Sequence, residues 1–147
     1  MDGANTRIVK RWFEEVWNQR KRGAITELFA ANGVAHGVSD TGGDLHGPEA
    51  ILTFYERLVA AFPDLRVEVD DCIEAGDKVA ARYTATMNHG GEYLGLRASG
   101  KGATVTGLSM LRVANGQIVE SWDSWDKLAL MHQIGGVHFA PAFSPVK

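Results

Sequence analysis

Asn115-Gly116 separates two runs of strand-forming residues, Val105 to Val113 and Gln117 to Asp123, and that arrangement leaves this part of the chain little choice of topology. A two-residue type I′ turn needs positive φ at both central positions, which Asn-Gly supplies at low cost. The two runs are therefore predicted to pair as an antiparallel hairpin. Alternate strand residues share a face, so Val119, Ser121, Asp123 and Trp125 are expected to point one way, and Ile118, Glu120, Trp122 and Ser124 the other. A carboxylate held among aromatic rings on an inward face would be desolvated and its pKa raised. Asp123, between Trp122 and Trp125, is thus a candidate proton shuttle. Strand parity does not say which face is inside, so a solvated carboxylate at a sheet edge stays open at this point.

Upstream, Ile8, Val9, Trp12, Phe13, Val16 and Trp17 recur at helical spacing and predict an amphipathic first helix, capped by Asn5 or Thr6 and broken by Gly23. Ala24 to Ala30 reads as a second helix, and Asn32-Gly33 turns the chain into a short strand, Val34 to His36. Gly37 to Gly47 is a polar, glycine-rich loop. Pro48 suits the first turn of a third helix, whose buried stripe runs through Ile51, Phe54, Tyr55, Leu58, Val59 and Phe62 before Pro63-Asp64 ends it. Leu65 to Asp70 and Val79 to Met87 read as strands flanking the turn Glu74 to Lys78. The glycine-rich stretch Asn88 to Gly102 reads as an excursion between strands rather than a phosphate cradle, because no helical pattern follows it. Asp126 is placed to cap a last short helix, Lys127 to Ile134, which Gly135 terminates. Two phenylalanines in the tail Val137 to Lys147 suggest that it covers a pocket mouth or a partner subunit. Helices first and strands afterwards give an α+β class: three N-terminal helices packed on the concave face of one curved antiparallel sheet, enclosing a pocket.

The 147 residues, 45% of them hydrophobic, suffice for one domain with a single core. A net charge of −3 with interspersed signs argues against nucleic acid, since the one basic cluster, Arg20-Lys21-Arg22, suits the C-terminal end of a helix. The single Cys72 excludes an intrachain disulfide and a zinc finger, and its acidic neighbours Asp70, Asp71 and Glu74 disfavour a reactive thiolate. No apolar run approaches the roughly 20 residues that span a bilayer, and the N-terminus lacks a signal pattern, so a cytoplasmic protein without membrane contact is expected. No His-x-His or Glu-x-x-His spacing occurs, so a metal is not expected. No Gly-x-Ser-x-Gly elbow supports a serine nucleophile. His36 and His89, each at the end of a strand, are candidates to hydrogen-bond a substrate oxygen or a carboxylate, because imidazole titrates near neutrality.

Several stretches resemble the SnoaL-like polyketide cyclase family: His89-Gly90-Gly91-Glu92-Tyr93-Leu94-Gly95, Ser99-Gly100-Lys101, Asn115 to Trp122 with Asp126, and Gln133-Ile134-Gly135. Gly47-Pro48-Glu49 and Ala61-Phe62-Pro63-Asp64-Leu65 fit the same pattern. The resemblance runs from Ile8 to Gly135. It implies the nuclear-transport-factor-two-like fold, a cone of helices over a strongly bent sheet with a deep apolar pocket, and a homodimer. It further implies ring closure by intramolecular aldol condensation without metal or cofactor, with an aspartate as acid and base at the position of Asp123. By the same resemblance His36 falls at a polar pocket position and Trp17 at an aromatic one. The chain departs where the anthracycline cyclases carry a glutamine and a histidine, here Gly107 and Ser109, and where a pocket asparagine is replaced by Phe54.

The sequence thus points to a cofactor-independent lyase or isomerase acting on a small apolar carbonyl compound. Asp123 would move the proton, His89 or His36 with Ser109 would hold the enolate, and Trp17, Phe54, Trp122 and Trp125 would exclude water. The alternatives are a binding protein for a hydrophobic metabolite and a relative that hydrates or hydroxylates.

Overall fold

The computed structural model describes residues 1–141. Its elements run α1 (Ala4–Arg11), a π-helical continuation (Trp12–Asn18), α2 (Arg22–Leu28), β1 (Phe29–His36), β2 (Leu45–His46), α3 (Gly47–Ala61), β3 (Arg66–Ala75), β4 (Lys78–Asn88), β5 (Gly102–Ala114), β6 (Gln117–Trp125) and α4 (Lys127–Gln133). The six strands form one curved, unclosed sheet in the order β2-β1-β6-β5-β4-β3. The helices lie over its inner face, as the α+β reading expects.

The hairpin that organises the sheet forms as the sequence dictates. Asn115 and Gly116 take φ of 53° and 76°, the left-handed values a type I′ turn demands. β4 and β5 continue the antiparallel ladder without interruption from Lys78↔Arg112 to Asn88↔Gly102. One expectation is corrected here: the sheet is mixed, because β1 joins β6 in parallel, with Ala35 opposite Ser121 and His36 opposite Trp122. A strand that arrives from two helices and leaves through a third is not bound to the hairpin geometry that would make it antiparallel.

The face assignment along β6 also needs one amendment. Ser121, Asp123 and Trp125 do share the inner face, but so does Ile118, which is fully buried. A bulge is responsible: Arg112 pairs with Glu120 while its neighbour Val113 pairs with Ile118, so one extra β6 residue shifts the parity.

The first helix does not stay α-helical. From Trp12 the backbone widens into a π-helix, which places Trp12, Phe13, Val16 and Trp17 all in the core. In an α-helix Trp12 and Trp17 would lie roughly 140° apart around the axis. The i→i+5 bonding of a π-helix narrows that separation, and both indoles are buried. Capping differs too. Neither Asn5 nor Thr6 caps α1; instead the Thr6 amide and hydroxyl both donate to Glu74 Oε1 on β3, at 2.8 and 2.6 Å, so the helix start is satisfied from the sheet. Asp126 does cap α4, accepting from the Ala129 amide at 3.0 Å. Asn18 exchanges two hydrogen bonds with Val67, closing part of the outer edge of β3. The expectation for the tail lies mostly outside the described residues.

Candidate active site

The helices and the inner face of the sheet enclose a cavity of about 90 Å³. Its walls are aromatic and aliphatic: Trp12, Phe13 and Trp17 from the π-helix, Phe54 and Leu58 from α3, and Tyr83 and Leu111 from the sheet. Trp17 packs edge-on against Phe54 at 6.1 Å between centroids, and Phe13 lies 5.3 Å from Tyr83. Against this lining stands a small polar cluster on neighbouring strands, formed by Ser109, Ser121 and Asp123.

Asp123 is the centre of the cluster. Its place follows from the register, which sets it directly across from Ser109. The Ser109 hydroxyl donates to Asp123 Oδ1, and Ser121 Oγ donates to Oδ2 at 3.4 Å. Burial in the apolar pocket raises the carboxyl's pKa from its ordinary 3.8 to about 6, against the opposing pull of the two serine hydroxyls and of the Lys127 ammonium. Desolvation therefore wins, and the group is poised to gain or lose a proton near neutral pH. The backbone holds it firmly. Gly37 follows β1 with φ +80°, and a Cβ there would collide with the Asp123 carbonyl oxygen, so only glycine lets the chain leave β1 this close to β6.

The loop after β1 is tied down at the same end of the pocket. Trp125 lines the cavity while its indole Nε1 donates to the Val38 carbonyl at 3.2 Å. Lys127 donates to the carbonyls of Gly37 and Ser39 and lies 5.5 Å from the centre of the Trp125 ring. Desolvation lowers the Lys127 pKa. Farther along the loop, Asp40 accepts from the Tyr93 hydroxyl at 2.6 Å, fastening the glycine-rich β4–β5 connection to it.

Of the residues singled out from sequence, Asp123, Ser109, Trp17, Phe54 and Trp125 come together around one cavity. Three do not. His36 follows the inward Ala35 and so projects from the opposite face, where its two ring nitrogens pair with Asp44 and Glu120, each at 2.8 Å. Those carboxylates raise its pKa. Trp122, one residue before Asp123, is on that outer face as well, stacked on His36 at 5.7 Å. His89 is fully buried, but in the β4–β5 connection: its Nδ1 accepts from the Ser99 amide at 3.2 Å and its ring packs on Phe62 at 5.6 Å. It does not line the cavity. Sequence reasoning missed Ser121 and Tyr83. Parity had put Ser121 on the face of Asp123, a signal that was available but not used. Tyr83 lay within a Thr- and Val-rich strand with no sign of its proximity to Asp123.

Among the described residues no group of three or more His, Cys, Asp or Glu side chains is arranged to hold a metal, and no helix is long and apolar enough to cross a membrane.

Known structures share this architecture. IdmH from Streptomyces antibioticus, a proposed polyketide cyclase, superposes with a TM-score of 0.78 at 29% identity over 89% of this chain and 98% of its own. A proposed SnoaL-like polyketide cyclase from Jannaschia sp. CCS1 gives 0.82 at 26% identity over 92% and 94%. AclR from Streptomyces galilaeus, a proposed hydroxylase, gives 0.80 at 25% identity over 94% and 89%. No curated protein matches the sequence. The profile of the SnoaL-like polyketide cyclases matches residues 7–134, nearly the whole described chain, and the chain belongs to that family.

Proposed function

We propose that this protein is a cofactor-independent acid/base enzyme acting on a small, largely apolar carbonyl compound, with Asp123 as the group that moves the proton. The single observation that carries the reading is the desolvated Asp123 carboxyl, raised to about 6 and held by two serine hydroxyls at the polar end of an otherwise apolar cavity. A pocket that merely bound an apolar metabolite would gain nothing from a buried carboxyl, whose desolvation costs stability.

Ionised at neutral pH, Asp123 accepts the proton α to the substrate carbonyl. The C–H electron pair moves into the Cα–C bond, and the carbonyl π pair moves onto oxygen as an enolate. In an aldol cyclisation Cα then attacks a second carbonyl carbon, and protonated Asp123 returns its proton to the new alkoxide. In an isomerisation or exchange the proton goes back to carbon. Ser109 and Ser121 orient the carboxylate throughout, while Trp17, Phe54 and Trp125 keep water out. His36, Trp122 and His89 take no part.

The size of the cavity supports a small substrate. At about 90 Å³ it has room for on the order of half a dozen waters, so it suits a one-ring or short-chain compound rather than a multi-ring one. Phe54 and Tyr83 are both part of its lining.

The test is deuterium exchange in heavy water at the α-carbon of a panel of small cyclic ketones and 1,3-diketones, followed by NMR. Exchange catalysed by the wild type and lost in Asp123→Asn supports the reading, and exchange that survives the substitution contradicts it.

A homodimer is part of the proposal. On the outer face Ile73, Leu108, Met110 and Trp122 are exposed on β3, β5 and β6, with Met110 paired to Trp122 across the strands. Charges of both signs flank them, Arg112 near Glu120 and Arg82 near Asp70, which makes the face complementary to a second copy of itself. Light scattering on the purified chain, with Trp122→Glu as the disrupting variant, checks it.

A further inference from the structure

We propose that Tyr83, standing in the space left by the absent side chain of Gly107, forms an oxyanion-binding site that holds the enolate or phenolate oxygen of a ligand in this pocket. The inference rests on the carbonyl-chemistry reading of the cavity and supplies what that reading lacks, a donor for the developing negative charge.

The argument begins at the register. Tyr83 on β4 pairs with Gly107 on β5, and Gly107 pairs with Trp125 on β6, so the three form the row next to Ser109 and Asp123. A Cβ at position 107 would run into the Tyr83 ring at Cζ and the hydroxyl. Any side chain there would expel the phenol from its present position, so glycine at 107 and tyrosine at 83 form one unit. Phe13 packs against the same ring in a tilted arrangement, 5.3 Å between centroids.

The hydroxyl is unspent. Tyr83 is only 8% exposed and lines the cavity, yet its OH makes no hydrogen bond among the described residues. The neighbouring donors are already committed: Ser109 and Ser121 to Asp123, and Trp125 Nε1 to Val38. Tyr93, by contrast, has its hydroxyl satisfied by Asp40. Tyr83 Oη is not among the fully buried atoms without a partner, so it keeps access to the cavity and is free to donate to an acceptor brought by the ligand. Burial, with the Asp123 charge adding to it, raises the Tyr83 pKa and keeps it a neutral donor at working pH. That is the state an oxyanion hole requires. In the reaction the phenol keeps its proton. Asp123 takes the proton from carbon, the displaced electron pair collects on the carbonyl oxygen, and Tyr83 hydrogen-bonds that oxygen.

The probe is 4-nitrophenol, whose ionised form mimics an enolate and reports its own charge by absorbance, with nitrobenzene as the neutral control. Asp123→Asn serves as host, since it removes the competing carboxylate while leaving the pocket. The host is expected to bind 4-nitrophenolate, and adding Tyr83→Phe is expected to weaken that by about tenfold to a hundredfold, the cost of one hydrogen bond to an anion, with nitrobenzene affected less than about twofold. Gly107→Ala, which displaces the ring, is expected to reproduce the loss with the tyrosine still present. Equal phenolate binding with and without Tyr83, or no phenolate binding by the host, overturns the assignment. The two proposals fail separately: loss of ketone exchange in Asp123→Asn with unchanged phenolate binding in Tyr83→Phe sinks the oxyanion site alone. The reverse pattern keeps the site and sinks the base.

Discussion

Ser109 stands directly across from Asp123 in the β5–β6 ladder, and its hydroxyl donates to the carboxylate from within the pocket wall. The pair sets two opposing forces on one proton. Burial favours the neutral acid, while the hydroxyl favours the anion, and the balance leaves the group near pH 6. Removing the hydroxyl should tip that balance. A hydrogen bond to a charged group is worth about 1.5–3 kcal/mol, so Ser109→Ala is predicted to raise the Asp123 pKa by about 1 unit or more. The acidic limb of the pH–rate profile should move up with it, a displacement that a purely structural serine would not cause.

The same carboxyl should cost the fold stability. Its folded pKa of about 6 lies above the ordinary 3.8, so the unfolded chain gives up the proton first as pH rises. Between those values the folded state holds more protons and stability falls with rising pH; the penalty is full above about pH 6 and absent below about pH 4. At about 1.4 kcal/mol per unit the penalty is of the order of 3 kcal/mol. Asp123→Asn is therefore predicted to be inactive yet more stable at pH 7 by about 1–3 kcal/mol in urea unfolding, with the advantage gone at pH 3.5.

His36 belongs to a different part of the molecule. Asp44 and Glu120 raise its folded pKa above 6.5. Its contribution to stability is accordingly fully present below that value and is lost as pH rises through the raised folded pKa. His36→Gln should lower the melting temperature more at pH 5.5 than at pH 8.5 and leave α-proton exchange unchanged, because the ring lies on the outer face.

Gly37 carries a geometric demand. With φ +80° and the Asp123 carbonyl in the way of any Cβ, Gly37→Ala combines backbone strain with a collision against β6. A cost of about 1–3 kcal/mol in chemical denaturation is expected. Exchange activity should fall further than stability alone explains, since the clash acts on the backbone of Asp123, the proposed proton-moving residue.

How much of this was legible follows from the kind of interaction involved. Local rules held: Asn115-Gly116 made the turn, Asp126 capped α4, and the stripe through Phe54 and Leu58 buried itself. Non-local partners were not readable. The cap of α1 comes from Glu74 on β3, and the parallel pairing of β1 with β6 depends on a long connection through β2, α3 and three further strands. The bulge that turns Ile118 inward leaves no signature of its own. For the site, one-residue parity decided the outcome: Asp123 and Ser121 face in, whereas His36 and Trp122, each next to an inward residue, face out. Tyr83 became visible only when the register set it against Gly107.

The most direct test is an NMR pH titration of the Asp123 side-chain carboxyl, assigned by its absence in Asp123→Asn. The account predicts an apparent pKa of about 6, the mark of a desolvated carboxyl able to take up and return a proton near neutrality. A value at or below about 4 would show a solvated or ion-paired carboxylate and would contradict the assignment of Asp123 as the acid/base group.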